Sequence, residues 1–325
     1  MYDIITFGSA TRDIVITSKK LTILKYDKAS TGQEVCFPLG SKSDIDDIQF
    51  VSGGGGTNTA ATFAYQELKT AFCGAVGQDV TGQEIINELK KIGIDTRFVV
   101  KKSAKKTNHS VVILQTSQDR TILAYRGAAE LLEKKDIPFR KLKTKWLYLA
   151  PLTGLLCDSF EEIVNFAKEN KITVAANPSM AQLSLKNFSE IVKNIDVLFL
   201  NQEEASFLTK IPFQQEKEIF KKLDELCPNI AVMTKGGEGV TVSDGKQIYS
   251  AKPNEMRNIV DTTGAGDSFG AGFVTEFMRT GDIEKSIQLG MANSQGCLSE
   301  IGAKNGLLKK GQTFERVKIT KEQIL

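Results

Sequence analysis

The run Asp261-Thr262-Thr263-Gly264-Ala265-Gly266-Asp267 passes directly into Ser268-Phe269-Gly270-Ala271-Gly272-Phe273. Phe269, Phe273 and Phe277 recur at every fourth residue, which predicts one apolar face of a helix beginning near Ser268. Gly264, Ala265 and Gly266 then lie at the helix N-terminus, where backbone N–H groups lack intrahelical acceptors and the aligned peptide dipoles favour negative charge. Such small residues leave room for an anion, so the turn is a candidate anion hole. Asp267 stands at its mouth. A carboxylate facing a bound anion makes chemical sense if it accepts the proton of a nucleophile attacking that anion, and the chemistry so indicated is phosphoryl transfer to a hydroxyl.

Two other readings fit this stretch alone. Gly264 and Gly266 could make a plain tight turn, with Asp267 as a first-turn acid favoured by the helix dipole. Gly264, Gly266 and Gly270 could also form a variant dinucleotide fingerprint, but that motif follows an apolar strand early in a βαβ unit, and here the lead-in is polar and late in the chain.

Other glycine-rich stretches have related placements. Gly53-Gly54-Gly55-Gly56-Thr57-Asn58 is followed at once by Ala60, Ala61, Phe63, Ala64 and Leu68, a helical pattern. A flexible linker would not run straight into a helix, so these glycines predict close approach to a ligand. Asn201-Gln202-Glu203-Glu204 follows an apolar strand, and Asn201 and Glu204 have the spacing of a helix capping box. Thr234-Lys235-Gly236-Gly237-Glu238-Gly239 ends another strand in a turn, with a hairpin expected around residues 243–246.

The elements that must position these residues alternate. Strands are expected at 3–9, 12–17, 70–76, 146–150, 172–176, 196–200 and 230–234, and helices at 82–92, 159–169 and 182–194. Apolar strands alternating with helices predict a mainly parallel sheet covered on both faces, whose strand ends share one ligand-binding edge. Short half-exposed strands cluster in two early regions, including 34–37 and 48–51, then 96–100, 110–116 and 120–126. They are read as a small β lid of segments at about 12–51 and 96–126, inserted in a single domain spanning 1–325, where a cover could exclude water.

Bulk properties exclude several classes. A chain of 325 residues with 41% hydrophobic content can bury a large core, and a net charge of +3 with dispersed Lys and Arg carries no nucleic-acid footprint. No apolar run approaches a membrane span, and no basic leader precedes the first strand, so no membrane partner is expected. Five widely spaced cysteines without a CxxC pair suit a reducing cytoplasm, and the single histidine, His109, leaves no histidine triad or multi-His zinc site.

Taken together, the motifs resemble the PfkB or ribokinase-like carbohydrate kinases, in that family's order and over nearly the whole chain. Gly8-Ser9 with Asp13, and GGGGTN at 53–58, resemble its N-terminal substrate signature. Arg126-Gly127-Ala128 resembles a recurring element after a lid strand, NQEE at 201–204 its Asn-x-x-Glu, TKGGEG at 234–239 its Thr-x-Gly-x-x-Gly, and DTTGAGDSFGAGF at 261–273 its second signature.

The resemblance implies a three-layer α/β/α core with a β-sheet lid and an ATP- and Mg2+-dependent kinase acting on a sugar, or next a nucleoside. It makes Asp267 the base and Gly264, Ala265 and Gly266 the anion hole, and it assigns substrate hydroxyls to Asp13, Gly54 and Asn58. Asn201 and Glu204 would organise Mg2+ through water and the nucleotide phosphates. Thr234, Gly236 and Gly239 would form the nucleotide turn, with Asn293 on the helix beside the adenine. Asp261 and Thr263, with the segment around Gly302, match loops that bind K+ in many members. A non-catalytic sugar- or nucleotide-binding homologue is the alternative from another class.

The chain lacks GxxxxGK[ST], so helix-end N–H groups, magnesium and a further unlocated cation must balance the triphosphate. It departs from the family at Thr11, where Asn is frequent, and at Ala150-Pro151-Leu152-Thr153-Gly154, where sugar kinases often carry an acid; both affect the sugar expected. Exposed lid strands offer edges to a second copy, which points to a homodimer through the lid.

Overall fold

A computed structural model describes residues 1–18, 21–26, 32–114, 120–227, 229–255 and 259–323. A ten-stranded sheet runs from one edge to the other as Ile319–Gln323, Gln247–Ala251, Val240–Ser243, Ile230–Thr234, Val197–Asn201, Thr173–Ala176, Thr144–Leu149, Tyr2–Phe7, Thr70–Gly77 and Asp95–Lys102. The seven strands from Ile230–Thr234 to Asp95–Lys102 are parallel, and the other three continue the sheet antiparallel. Tyr2–Phe7 lies two strands in from the Asp95–Lys102 edge, with Ile4, Ile5 and Phe7 fully buried, as a strand covered on both faces requires.

Helices build the outer layers. Phe160–Glu169 buries Phe160, Ile163, Val164 and Ala167, the one-sided pattern of a helix lying on a sheet. Val80–Lys91 starts at Asp79, whose side chain accepts from Gly82 N, and ends in Lys90 and Lys91, which complement the dipole. Residues 182–194, expected as one helix, form Met180–Leu183, a break, Phe188–Ile191 and a 3-10 turn Val192–Asn194. Ser184 and Asn187 end and begin these pieces, as residues whose side chains compete with helical hydrogen bonds do.

A four-stranded sheet, ordered Asp47–Gly53, Thr11–Thr17, Asn108–Leu114 and Arg120–Tyr125, carries most of the expected cover strands. Asp95–Lys102, expected among them, instead pairs in parallel with Thr70–Gly77 at the edge of the large sheet, because the helix between them makes a βαβ crossover. Of the expected strand 110–116, residues 115 and 116 lie outside the described residues. No helix among the described residues is long and apolar enough to cross a membrane.

Candidate active site

The seven parallel strands of the large sheet end on the same edge, and at or just beyond the ends of five of them stand Gly8, Ala150, Asn177, Asn201 and Gly236. Helix Ala265–Thr280 delivers the chemistry to that edge. Gly264 caps it at φ 81° in the left-handed region, and a Cβ there would collide with Ala303. At Gly266 an added Cβ would meet nothing within 4 Å, so the turn stays open to solvent.

The second glycine stretch forms a facing helix N-terminus, Gly55–Tyr65. Gly54 holds φ 96° against the Ser9 carbonyl, and a Cβ at Gly53 would collide with the Asp13 carboxylate. A Cβ at Gly55 would lie 3.3 Å from Asp267 Oδ1 and 3.2 Å from the Ala150 methyl group. These glycines are therefore a surface of close approach and not a linker. From the same helix Asn58 Nδ2 donates to Asp267 Oδ2 at 2.8 Å. Since a carboxylate only accepts, Asn58 must present its NH2 group, which leaves Oδ1 buried without a partner and free to accept from a ligand hydroxyl.

Burial raises the pKa of Asp267, while the Asn58 hydrogen bond and the Lys304 charge oppose the rise. Asp13, on the small sheet, is 7% exposed, and burial raises its pKa against a Ser110 hydrogen bond and the Lys304 charge. Lys304 was not singled out in the sequence. A lone Lys in the polar run Ala303-Lys304-Asn305-Gly306 has no local signature; only the fold brings it to Asp13 and Asp267.

On the other side of Ala265 and Gly266 a pocket of about 550 Å³ takes in Thr234, Gly236 and Gly239, with apolar walls from Phe269, Met291 and Leu298. Ala265 and Gly266 line this pocket and Asp267 does not, and a ligand with a flat apolar base and a phosphate tail matches it. Asn201 and Glu204 do not line it. They form the capping box, Asn201 Oδ1 accepting from Glu204 N and Glu204 Oε2 from Asn201 N, both at 2.8 Å. Glu204 is left with a pKa raised by burial and by the neighbouring Glu203 charge, a carboxylate suited to a nearby cation.

Asn293 does not reach the pocket. It is fully buried, with Nδ2 donating to Ser268 O at 2.7 Å and Thr62 Oγ1 at 3.1 Å, and Oδ1 accepting from Leu308 N at 2.9 Å. Both polar atoms of its side chain are used, Nδ2 joining helices and Oδ1 holding the loop at Leu308, and its neighbours Ser294 and Gln295 line the pocket instead. Arg126 is exposed, while Gly127 N and Ala129 N both donate to Asn108 Oδ1 at 3.1 Å.

Asp261 accepts from Thr263 N at 2.8 Å and Gly302 N at 3.0 Å. Thr263 Oγ1 is buried without a partner, which fits a cation ligand at this loop. No group of three or more His, Cys, Asp or Glu that could hold a metal occurs among the described residues.

Residues 1–310 match the family model described as pfkB family carbohydrate kinase. The chain belongs to the pfkB family. As a carbohydrate kinase it is 26% identical to the ribokinase of Haemophilus influenzae over 287 residues, covering 82% of this chain and 87% of that protein. It is 23% identical to the adenosine kinase of Schizosaccharomyces pombe over 288 residues, covering 81% and 84%. The structure of Arabidopsis thaliana ribokinase complexed with ribose and ATP superposes with a TM-score of 0.78 at 22% identity, covering 95% of this chain and 96% of that one. The family's ribokinase-like fold, a large mainly parallel sheet with helices and a small sheet, is the fold of this chain.

Proposed function

We propose that this pfkB-family kinase transfers the terminal phosphoryl group of ATP to a hydroxyl of a sugar, with Asp267 as base and Gly264, Ala265 and Gly266 as anion hole. The observation that carries the reading is the Asn58–Asp267 hydrogen bond, which leaves a carboxylate and the orphaned Asn58 Oδ1 together beside an open helix N-terminus. The acceptor hydroxyl would lie against Asp13 and Asn58, with its proton directed at Asp267. The nucleotide would occupy the pocket bounded by Thr234, Gly236 and Gly239.

Asp267 is a weak base, but the hydroxyl of a loose phosphoryl-transfer transition state becomes acidic only late, so placement of the acceptor matters more than its basicity. N–H groups at 264–266 would hold the charge on the equatorial oxygens, already oriented before reaction. Bound Mg2+ would neutralise phosphate charge, held through water by Glu204, with Asn201 fixing that side chain. K+ at the Asp261–Thr263 loop would use the unpartnered Thr263 hydroxyl.

The same reading takes the chain as one kinase domain with the four-stranded sheet as its lid. The fully exposed strand Arg120–Tyr125 supports a homodimer through the lid, and five free cysteines support a cytoplasmic protein. An ATP-consumption screen over free sugars, sugar acids, sugar phosphates and nucleosides, with Mg2+ and K+, tests the function. One strong sugar hit supports it, a nucleoside hit moves the acceptor class, and ATP binding without turnover of any acceptor favours the non-catalytic homologue.

A further inference from the structure

Lys304 is a cation that the acceptor and nucleotide contacts proposed above do not use. It follows Gly302 and Ala303 in the loop after helix Ile283–Leu298, and its ammonium donates to Ser52 Oγ of the lid strand Asp47–Gly53 at 2.9 Å. It makes no ion pair among the described residues, so one donor is engaged and the rest of its capacity is open. Burial pushes its pKa down to about 7, against the more distant charges of Glu88, Asp13 and Asp267. The other cation nearby, Arg12, is already paired with Glu88 at 2.8 Å and Glu84 at 3.4 Å.

Around these groups lies a pocket of about 260 Å³ lined by Arg12, Ser52, Glu88, Gly302, Lys304 and Asn305. It adjoins the acceptor site, because Ser52 precedes the Gly53 that closes on the Asp13 carboxylate. A half-buried ammonium with one neutral partner is costly to keep, and a sugar hydroxyl would fill its donors without balancing its charge. An anionic oxygen does both, and a charge-assisted contact is the stronger one.

We propose that Lys304 is a specificity-determining residue that takes an anionic substituent, a phosphate or carboxylate carried on the sugar away from the reacting hydroxyl, in the pocket beside Ser52 and Arg12. The Arg12–Glu88 pair holds the pocket wall, and Lys304 supplies the unmatched charge. This rests on the kinase reading above, and the two can fail separately.

The test is calorimetric binding of ribose, ribose 1-phosphate, ribose 5-phosphate and ribonate to the wild type, Lys304→Met and Lys304→Arg, with ADP formation followed on the same samples. An anionic probe is expected to bind the wild type about 10- to 100-fold more tightly than ribose, Lys304→Met to lose that margin, and Lys304→Arg to retain most of it. A phosphate preference identifies a sugar phosphate, and a ribonate preference a sugar acid. Equal binding of all four probes overturns the proposal. So does an equal loss for ribose and the anions in Lys304→Met, which would make Lys304 only a counter-charge for Asp13 and Asp267. Lys304→Arg guards against a Met variant that does not fold: if it binds anions no better than ribose, the proposal fails. Anion-selective binding without ADP from any probe would leave the subsite standing and remove the kinase reading; ADP from ribose without anion preference would do the reverse.

Discussion

Asn58 Nδ2 donates to Asp267 Oδ2 at 2.8 Å, joining the first turns of two helices 209 residues apart in the chain. The bond fixes the carboxylate's direction and leaves its other oxygen, Oδ1, facing the Gly55 backbone. A base that must meet one hydroxyl proton gains more from such fixation than from greater basicity.

Asp267→Asn keeps the shape of the site and removes the proton acceptor. We expect kcat to fall by about 10³-fold, with nucleotide affinity within about twofold of wild type by calorimetry. A variant with unchanged kcat would end the assignment of Asp267 as base.

The ionisation of Asp267 should govern the acid limb of the kcat/KM profile. Burial raises its pKa, so activity is expected to fall with acidification at a midpoint above the ordinary Asp value of about 3.9. Asn58→Ala removes a hydrogen bond that favours the carboxylate, and the limb should move to higher pH. For stability the sign is opposite to that of a salt-bridged acid. Between the unfolded and the raised folded pKa the native state binds more protons, so this residue's contribution falls as pH rises through that window. Asp267→Asn should therefore raise the melting temperature at neutral pH, and a lowered one would contradict the sign.

Gly264→Ala places a side chain at φ 81° and against the Ala303 methyl group. Strain of about 1–3 kcal/mol is expected in urea unfolding, with a larger loss of kcat than of nucleotide affinity as the turn shifts. Gly266→Ala, which meets no neighbour, should leave the urea midpoint near wild type.

Asn293→Ala separates a structural role from a nucleotide-binding one. It orphans the buried Leu308 N and removes the side-chain bond to Ser268 O, so a loss of about 2–3 kcal/mol of stability is expected in chemical unfolding. At temperatures where the variant stays folded, KM for ATP should match wild type. A raised KM with unchanged stability would return Asn293 to the nucleotide site.

The elements read best from the chain were those with strong local signals. The helix after Gly264, the capping box of Asn201 and Glu204, and the alternating strands all appear where spacing and cap residues placed them. Residues 182–194 misled because the apolar spacing runs on while Ser184 and Asn187 divide it. Strand Asp95–Lys102 was placed with the cover because its half-exposed look is that of any sheet edge, and pairing is not a local property. The buried contacts of Asn293 and the approach of Lys304 to Ser52 lie beyond the reach of local pattern. A polar residue on an amphipathic helix looks available and a lysine in a polar loop looks solvated, whereas burial and partners arise only from packing.

Asp13, Asn58, Asp267 and Lys304 come from widely separated parts of the chain, and Gly302 and Ala303 close on Asp261 and Gly264 only after most residues are made. During synthesis the ribosome tunnel still holds this last loop when both early carboxamide and carboxylate partners have emerged. A nascent chain thus passes through a stage in which Asp13 and Asn58 are present without the loop that carries Lys304. Premature termination just before residue 302 would yield a polypeptide with most of the large sheet and an unfinished site, so competence for phosphoryl transfer arrives late and all at once.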